Sequence, residues 1–176
     1  MIYTKEIHLE RLIIRKVTEN DVKCLYYNWD SDVEMHKYVE YESHTNIEDT
    51  KKLINKWIAE YENGRLTWVI EIKGTGEVIG VISASSKELD NKVTEVGFSI
   101  GTKYQGNGYA TEALKAIIGY LILECSLNIV KGGCYAANLK SAKTMLKAGM
   151  KEVETNNKDV RYFEIRKDDL KELEEL

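Results

Sequence analysis

VTEVGFSIGTKYQGNGYAT, residues 93–111, is the stretch of this sequence that decides the fold. From Glu95 to Ile100, polar or small side chains alternate with apolar ones, and this period of two predicts a β-strand over residues 93–100. A glycine-rich turn follows at residues 105–108, and a helix is predicted to begin near Tyr109. Apolar residues then recur at helical spacing, at positions 110, 113, 114, 117, 118 and 121. The stretch therefore predicts a strand, a tight turn and a helix in direct succession.

The turn between this strand and this helix is suited to hold an anion. Gly106 and Gly108 let the backbone bend and come close to a ligand. The first turn of a helix leaves N–H groups unpaired and carries about half a positive charge. Together these features predict a cradle for a phosphate or a pyrophosphate.

Other interpretations of the same turn compete with one another. A P-loop would need GxxxxGK[ST], which is absent. A dinucleotide-binding GxGxxG would need a third glycine where Thr111 stands, and an acidic residue about 20 residues further on, which is also missing. A plain tight turn that binds no ligand is a further alternative.

The rest of the chain predicts more strands and helices around this unit. Strands are predicted at residues 7–17, 66–73, 78–85, 128–137 and 160–165, with Val153 in a closing hairpin. Helices are predicted after Thr18, after Asn46, and at residues 139–148 and 168–176. Because hairpin turns and helical crossovers both connect the strands, the sheet should be mixed and the fold class α+β or mixed α/β.

Length and composition exclude several classes of protein. The 176 residues predict a single domain over residues 1–176. A net charge of -4 argues against nucleic-acid binding through bulk electrostatics. No apolar run approaches the ~18 residues of a membrane span, and no apolar signal segment opens the chain. The three cysteines and three histidines lack metal-ligand spacing. We therefore expect a cytoplasmic protein with no metal, nucleic-acid or membrane partner.

The turn also resembles a family signature. Gln105-x-x-Gly108-x-Ala110 is similar to the (Gln/Arg)-x-x-Gly-x-(Gly/Ala) motif of the GNAT acetyltransferases. Further blocks resemble, in the same order, segments of the RimJ/RimL-type branch, which modifies protein N-termini; they lie at residues 9–15, 76–80, 95–100, 105–113, 138–141 and 147–150. The resemblance implies a mixed, mostly antiparallel sheet of about seven strands flanked by helices. Its fourth and fifth strands, residues 93–100 and 128–137, would splay apart.

The resemblance implies an N-acetyltransferase whose co-substrate is acetyl-CoA. The glycine-rich loop and the helix N-terminus would hold the pyrophosphate, and the pantetheine arm would lie between the splayed strands. Backbone of the first of these strands would pair with the arm and place an N–H at the thioester carbonyl. The implied cofactor-binding residues are Phe98, Ser99, Ile100, Gln105, Gly106, Asn107, Gly108, Tyr109, Ala110, Thr111, Asn138 and Lys147.

In this family an amine attacks the thioester directly, so no enzyme nucleophile is needed. Glu95 is the candidate base, acting through water, because it shares a strand face with Ser99; the alternative is a solvent-facing glutamate held by a cross-strand partner. Many GNAT enzymes protonate the leaving thiolate with a tyrosine seven residues after the late asparagine, where this chain has Met145. Ser141 is the acid implied by the RimJ/RimL branch, and its alternative is a helix-capping hydroxyl.

The acceptor site of the family is lined by the first two helices and their connection. Trp29, His36 and Tyr38 are the candidates here, with ordinary packing as the alternative for each. The acceptor would be a protein N-terminus or a small amine, and the protein a monomer or a homodimer. Two other functions stay open. One is a non-catalytic acyl-CoA-binding or sensing module, which Met145 favours, and the other is a nucleotide-phosphate enzyme that uses the same loop.

Overall fold

A computed structural model describes residues 2–174 of the chain. Eight strands form one sheet, and in chain order they are β1 (Ile7–His8), β2 (Leu12–Arg15), β3 (Leu66–Ile72), β4 (Val78–Ala84), β5 (Val93–Ile100), β6 (Ile129–Tyr135), β7 (Lys151–Val153) and β8 (Val160–Arg166). The α-helices are α1 (Val22–Leu25), α2 (Ile47–Glu60), α3 (Tyr109–Gly119), α4 (Leu139–Lys147) and α5 (Lys167–Glu174). Across the sheet the strands lie in the order β1-β2-β3-β4-β5-β6-β8-β7.

The sheet is mixed and mostly antiparallel, as predicted. Every neighbouring pair is antiparallel except β5 and β6, which are parallel and joined through α3. The sheet has eight strands rather than about seven. The difference arises at residues 7–17, which fold as the β1–β2 hairpin and not as one strand. Its tight turn is closed by the Leu9 N–H, which donates to the Leu12 carbonyl at 2.9 Å.

β5 and β6 separate soon after they begin. Their register covers only Val93↔Ile129, Thr94↔Val130 and Glu95↔Lys131. Beyond that point β5 stays paired with β4, and β6 stays paired with β8 as far as Tyr135↔Val160. The two strands therefore diverge and leave a V-shaped gap, which confirms the predicted splay.

Two apolar clusters cover the two faces of the sheet. On one face Val96 and Ile100 of β5 pack with the buried side of α3, including Leu114 and Ile117. On the other face the side chains of β3 and β4 pack against Leu25, Trp29, Ile54 and Trp57. Fully burying one such aliphatic side chain contributes about 1.5–3 kcal/mol. Since side chains alternate along β5, Glu95, Gly97 and Ser99 lie on the face covered by α1 and α2.

The helices follow the sequence pattern except where a short turn interrupts it. α3 begins at Tyr109, as predicted, and the Asn46 side chain accepts the Glu48 N–H at 3.0 Å to start α2. α1 is shorter than its apolar spacing predicts, because it widens into a π-helical turn at Tyr26–Asp30. The helix predicted at residues 168–176 is present up to residue 174, and its last two residues lie outside the described part. Within residues 2–174, no helix has the length and apolar character needed to cross a membrane.

Candidate active site

The gap between β5 and β6 opens into a large cleft. Its volume is about 1510 Å³, and it runs from the glycine-rich loop past the splayed strands to the segment at residues 34–41. Most of the candidate residues line it, namely Trp29, Tyr38, Glu95, Phe98, Ser99, Ile100, Gln105, Gly106, Gly108, Tyr109, Ala110, Thr111, Asn138, Ser141 and Lys147. The fold therefore brings these candidates together on one continuous surface from three separate parts of the chain, residues 29–38, 95–111 and 138–147.

The glycine-rich loop presents the N-terminus of α3 to this cleft. Gly106 and Gly108 have φ values of 82° and 80°, in the left-handed region that glycine adopts without strain. Gly108 is the N-cap residue, and within the described chain no side chain caps the helix there. The N–H groups of the first turn of α3 thus stay available to an anion.

Side chains around the loop hold its shape. The Gln105 amide donates to the Ile100 carbonyl at 2.9 Å, and its oxygen accepts from Lys140 at 3.0 Å. Asn107 is not among the residues that line the cleft; its amide donates to the Tyr104 carbonyl at 3.1 Å and closes the turn. Arg11 braces the loop from outside, because its guanidinium binds Glu112 at 2.7 Å and the Asn107 carbonyl at 2.9 Å.

The free edge of β5 forms one wall of the cleft. The Glu95 carbonyl accepts from Ser85 at 2.8 Å and the Gly101 N–H donates to Ile79 at 2.9 Å, so both groups point toward β4. Backbone direction alternates along a strand, and Phe98 therefore aims its N–H and C=O into the gap. The ladder to β6 ends at Glu95, so an extended ligand fits beside Phe98.

Ser99 contributes its side chain rather than its backbone to the cleft. Its backbone groups point toward β4, where Ser99 pairs with Val81. Its hydroxyl accepts the Trp29 indole N–H at 2.8 Å. Glu95 is exposed on the same face, and Gly97 lies between them with no heavy atom within 4 Å of where a Cβ would stand. The face therefore has an open floor, and the Glu95 carboxylate at the fork of the two strands has no hydrogen-bond or ion-pair partner in the described part of the chain.

The start of α4 forms the opposite wall. Asn138 caps this helix by accepting the Ser141 N–H at 3.1 Å. The Cys134 thiol, which also lines the cleft, donates to the Asn138 carbonyl at 3.9 Å and lies beside the Ser141 hydroxyl. Burial raises the pKa of the Cys134 thiol, and this outweighs the lowering effects of Arg161 and of the Ser141 hydrogen bond. The thiol is therefore protonated at neutral pH and a weak nucleophile.

The acceptor-side candidates separate into two groups. Trp29 and Tyr38 line the cleft, and the Tyr38 hydroxyl reaches the Ala137 carbonyl across it at 3.5 Å. His36 is not among the lining residues. It is buried, its Nδ1 lies 2.8 Å from the Asp32 carbonyl, and its ring packs against Tyr41 at 5.1 Å. The structure thus places His36 behind the wall of the cleft, where it supports the aromatic residues.

The acetyltransferase (GNAT) domain family matches residues 11–151 of this sequence. The chain belongs to the GNAT acetyltransferase family. It is therefore an acyltransferase enzyme. A ribosomal-protein-serine acetyltransferase of Escherichia coli (strain K12) is 29% identical over 147 residues, which cover 80% of this chain and 79% of that protein.

Solved structures agree with this GNAT assignment. A GNAT-family acetyltransferase from Bacillus anthracis has a TM-score of 0.79 at 25% identity, covering 93% of this chain and 99% of that one. RimL, a ribosomal alpha-N-protein acetyltransferase solved in complex with coenzyme A, has a TM-score of 0.78 at 19% identity, covering 92% and 98%. The resemblance to RimJ/RimL-type enzymes is confirmed by the Escherichia coli ribosomal-protein-serine acetyltransferase, and RimL has the same fold.

Sequence reasoning missed several cleft residues of this acetyltransferase. Lys140 is one of them; it lines the cleft together with Lys143 and Lys147, and the i, i+3, i+7 spacing of the three lysines on α4 was the available signal. Arg65 and Cys134 also line it, and no local pattern marks either residue. Met145 is buried beneath β6, 2.9 Å from where a Cβ on Gly132 would stand. Within residues 2–174, no cluster of three or more His, Cys, Asp or Glu side chains is placed to hold a metal ion.

Proposed function

We propose that this acetyltransferase moves the acetyl group of acetyl-CoA to a primary amine, either a protein N-terminus or a small amine, by direct attack on the thioester. One observation carries the proposal. The unpaired edge of β5 runs directly into a glycine-rich loop whose helix N-terminus carries no side-chain cap among the described residues. A pantetheine arm pairs with such an edge, and a pyrophosphate binds such a helix end.

The charges around the loop support the same cofactor. Lys140, Lys143 and Lys147 lie along one side of α4 and line the cleft. They would neutralise the phosphates of acetyl-CoA while the backbone N–H groups of Tyr109, Ala110 and Thr111 donate to the pyrophosphate. RimL, a neighbour of the same fold, has been solved with coenzyme A.

The thioester would be polarised by the β5 backbone. The Phe98 N–H points into the gap, on the strand that leads directly to the glycine-rich loop. A donor aimed at the oxygen that gains negative charge in the transition state contributes about 10²–10³ in rate. No metal or cofactor other than acetyl-CoA enters this proposal.

Proton transfer would use one residue on each wall of the cleft, Glu95 on β5 and Ser141 at the start of α4. A protein α-amine titrates near ~8 and a lysine-like amine near ~10.4, so either one needs a base at neutral pH. Glu95, at the fork of the strands, would take this proton through a water molecule. The Ser141 hydroxyl, held at the start of α4 beside Cys134, would return a proton to the leaving thiolate.

Replacing Cys134 with serine is expected to leave kcat within about twofold of the wild type. The reason is that its thiol is held protonated by burial and direct attack needs no acetyl-enzyme. Initial-rate kinetics with both substrates varied would check this expectation. A collapse of activity in this variant, together with ping-pong kinetics, would contradict direct attack.

A ligand panel tests the function itself. Acetyl-CoA at 100 times its Kd should stabilise the protein by about 2.7 kcal/mol, and ATP and NAD should not. Release of free coenzyme A is then measured with a panel of small amines and peptides. Stabilisation by acetyl-CoA with no thiol release from any amine would identify a sensing module instead. Stabilisation by ATP or NAD alone would point to a nucleotide-phosphate enzyme.

A further inference from the structure

Part of the cleft lies on the face of the sheet covered by α1 and α2, and we call this part the acceptor pocket. Its floor is formed by Thr67, Ser83 and Gly97. These residues lie side by side on β3, β4 and β5, because Thr67 pairs with Ser83 and Ser83 pairs with Gly97. Its walls are aromatic, and they are formed by Trp29, Tyr41 and Trp57. Small, polar side chains on the floor and rings on the walls leave space for a small molecule or the end of a peptide.

Arg65 stands at one end of this pocket with a hydrogen-bonding edge unused. It directly precedes β3, lines the cleft, and stacks on the Trp57 ring at 5.0 Å. Its Nη1 pairs with Glu60, which fixes one side of the guanidinium. Its Nε is buried and has no hydrogen-bond partner among the described residues. The Arg65 guanidinium is fixed on one side and keeps a buried N–H without an acceptor on the other. Such an N–H donor is suited to bind an oxygen atom of a ligand.

Arg65 and Glu95 lie at opposite sides of the same floor. Side chains alternate along a strand, so Arg65 shares the face of Thr67. Ser85, which directly follows β4, donates its N–H to the Glu95 carbonyl of β5 at 2.8 Å. Arg65 directly precedes β3, on the other side of β4, so Glu95 lies two strands away from it. Two strand spacings amount to about 10 Å between backbones. The two side chains thus stand on opposite sides of the floor formed by Thr67, Ser83 and Gly97.

We propose that the acceptor is a primary amine that also carries an anionic group, a carboxylate above all, with the amine at Glu95 and the anion at Arg65. This inference rests on the proposed function, since it needs the amine to meet the thioester beside Glu95. The planar guanidinium matches a carboxylate with two parallel N–H donors, and Arg65 offers Nε and Nη2 for them. Glu34 and Glu40 also line the cleft, but they are exposed at its rim on the segment at residues 34–41.

The test compares acids with their neutral amides. N-acetylated alanine, leucine and phenylalanine, which are the products of such a reaction, are titrated against their C-terminal amides with coenzyme A present. Since the acetylated amine does not titrate, each pair differs only in the carboxylate. Binding is followed through tryptophan fluorescence, because Trp57 contacts Arg65 directly. We expect at least one acid to bind about tenfold or more tightly than its amide, which corresponds to about 1.4 kcal/mol.

Variants test whether Arg65 causes the tighter binding of the acid than of its amide. Arg65→Gln should reduce it to about twofold or less, and Arg65→Lys should leave an intermediate value because lysine lacks the planar fork. Lys37→Gln removes another positive charge from the same cleft and should leave the preference intact. Thermal unfolding of each variant, with and without acetyl-CoA, verifies that the fold and the cofactor site survive.

The outcomes separate this inference from the proposed function. Equal binding of every acid and its amide, no binding of any acid, or a preference that persists in Arg65→Gln would each overturn it. Thiol release is measured with the corresponding free amino acids and amides. Turnover without a preference for acids would leave the transferase proposal standing and remove the inference. A preference lost in Arg65→Gln, but without turnover, would support the anion site and count against the transferase proposal.

Discussion

Glu95→Gln is expected to lower kcat by at least tenfold and to leave the affinity for acetyl-CoA unchanged. Glu95 is exposed at the point where β5 and β6 part, on the face of the open floor formed by Gly97. Glutamine keeps the size of the side chain but cannot accept a proton from water. A positioned base contributes about 10²–10⁴ to a rate, and the expected loss lies within that range.

The pH dependence distinguishes a base from a structural glutamate. A base matters only while the amine is protonated, so the deficit of Glu95→Gln should shrink as the pH rises through the pKa of the acceptor amine. Glu88→Gln is a matched control, because Glu88 is also an acidic side chain near the β5–β6 junction and faces Lys131 at 3.7 Å. Stopped-time assays of coenzyme A release give kcat for each protein. Unchanged turnover in Glu95→Gln, or an equal loss in Glu88→Gln, would reject the assignment.

The sequence predicts well those strands and helices in which apolar residues recur with a regular period. β5 covers the predicted residues and α3 begins where it was expected, because alternation and helical spacing are set by burial of one face. The β1–β2 hairpin was missed, since a two-residue strand carries no period. The splay of β5 from β6 is a long-range property that only the family resemblance supplied, and the order of the strands across the sheet was not predicted.

The candidate site shows the same division at the level of side chains. The loop residues are contiguous in sequence, and their backbone conformation follows from the glycines, so their place in the cleft could be anticipated. His36 belongs to a segment rich in aromatic residues, but composition does not tell which way a ring points, and the ring is buried behind Trp29. Arg65 enters the cleft because β3 lies two strands from β5, and nothing next to it in the sequence indicates that distance.

At the end of β5, two parts of the candidate site are in close contact. One is the segment at residues 26–41, and the other is the strand end that leads into the glycine-rich loop. Gly101 lies where β5 meets the π-helical turn at Tyr26–Asp30. Next to it, the Asp32 carboxylate accepts the Thr102 N–H at 2.6 Å and the Met35 N–H at 3.1 Å. These two N–H groups hold the pKa of Asp32 below its usual value, although burial, the largest single influence, acts the other way. The segment that carries the proposed acceptor residues is thus bonded to the strand end that leads into the glycine-rich loop.

Gly101→Ala is expected to lower Tm by at least about 5 °C and to weaken acetyl-CoA binding. A Cβ at this position would stand 1.7 Å from the Asn28 carbonyl oxygen and 2.9 Å from its carbon. Both are backbone atoms, so no side chain can rotate away, and the π-helical turn must move from the strand. Overpacking costs about 1–3 kcal/mol, occasionally more, and a 1.7 Å clash with backbone belongs at the upper end of that range. Since each kcal/mol shifts Tm by about 2–4 °C in a domain of 150–250 residues, a cost of about 3 kcal/mol lowers Tm by more than about 5 °C.

A second glycine provides the control for this substitution. Gly119 lies in α3, and a Cβ there would have no heavy atom within 4 Å. Alanine in a helix is about 1 kcal/mol more favourable than glycine, so Gly119→Ala should keep or raise Tm and bind acetyl-CoA normally. Calorimetry and cofactor titration of both variants measure the difference. If Gly101→Ala melted like the wild type and bound acetyl-CoA equally well, the two parts of the site would not depend on this contact, and the acceptor segment could shift without disturbing the glycine-rich loop.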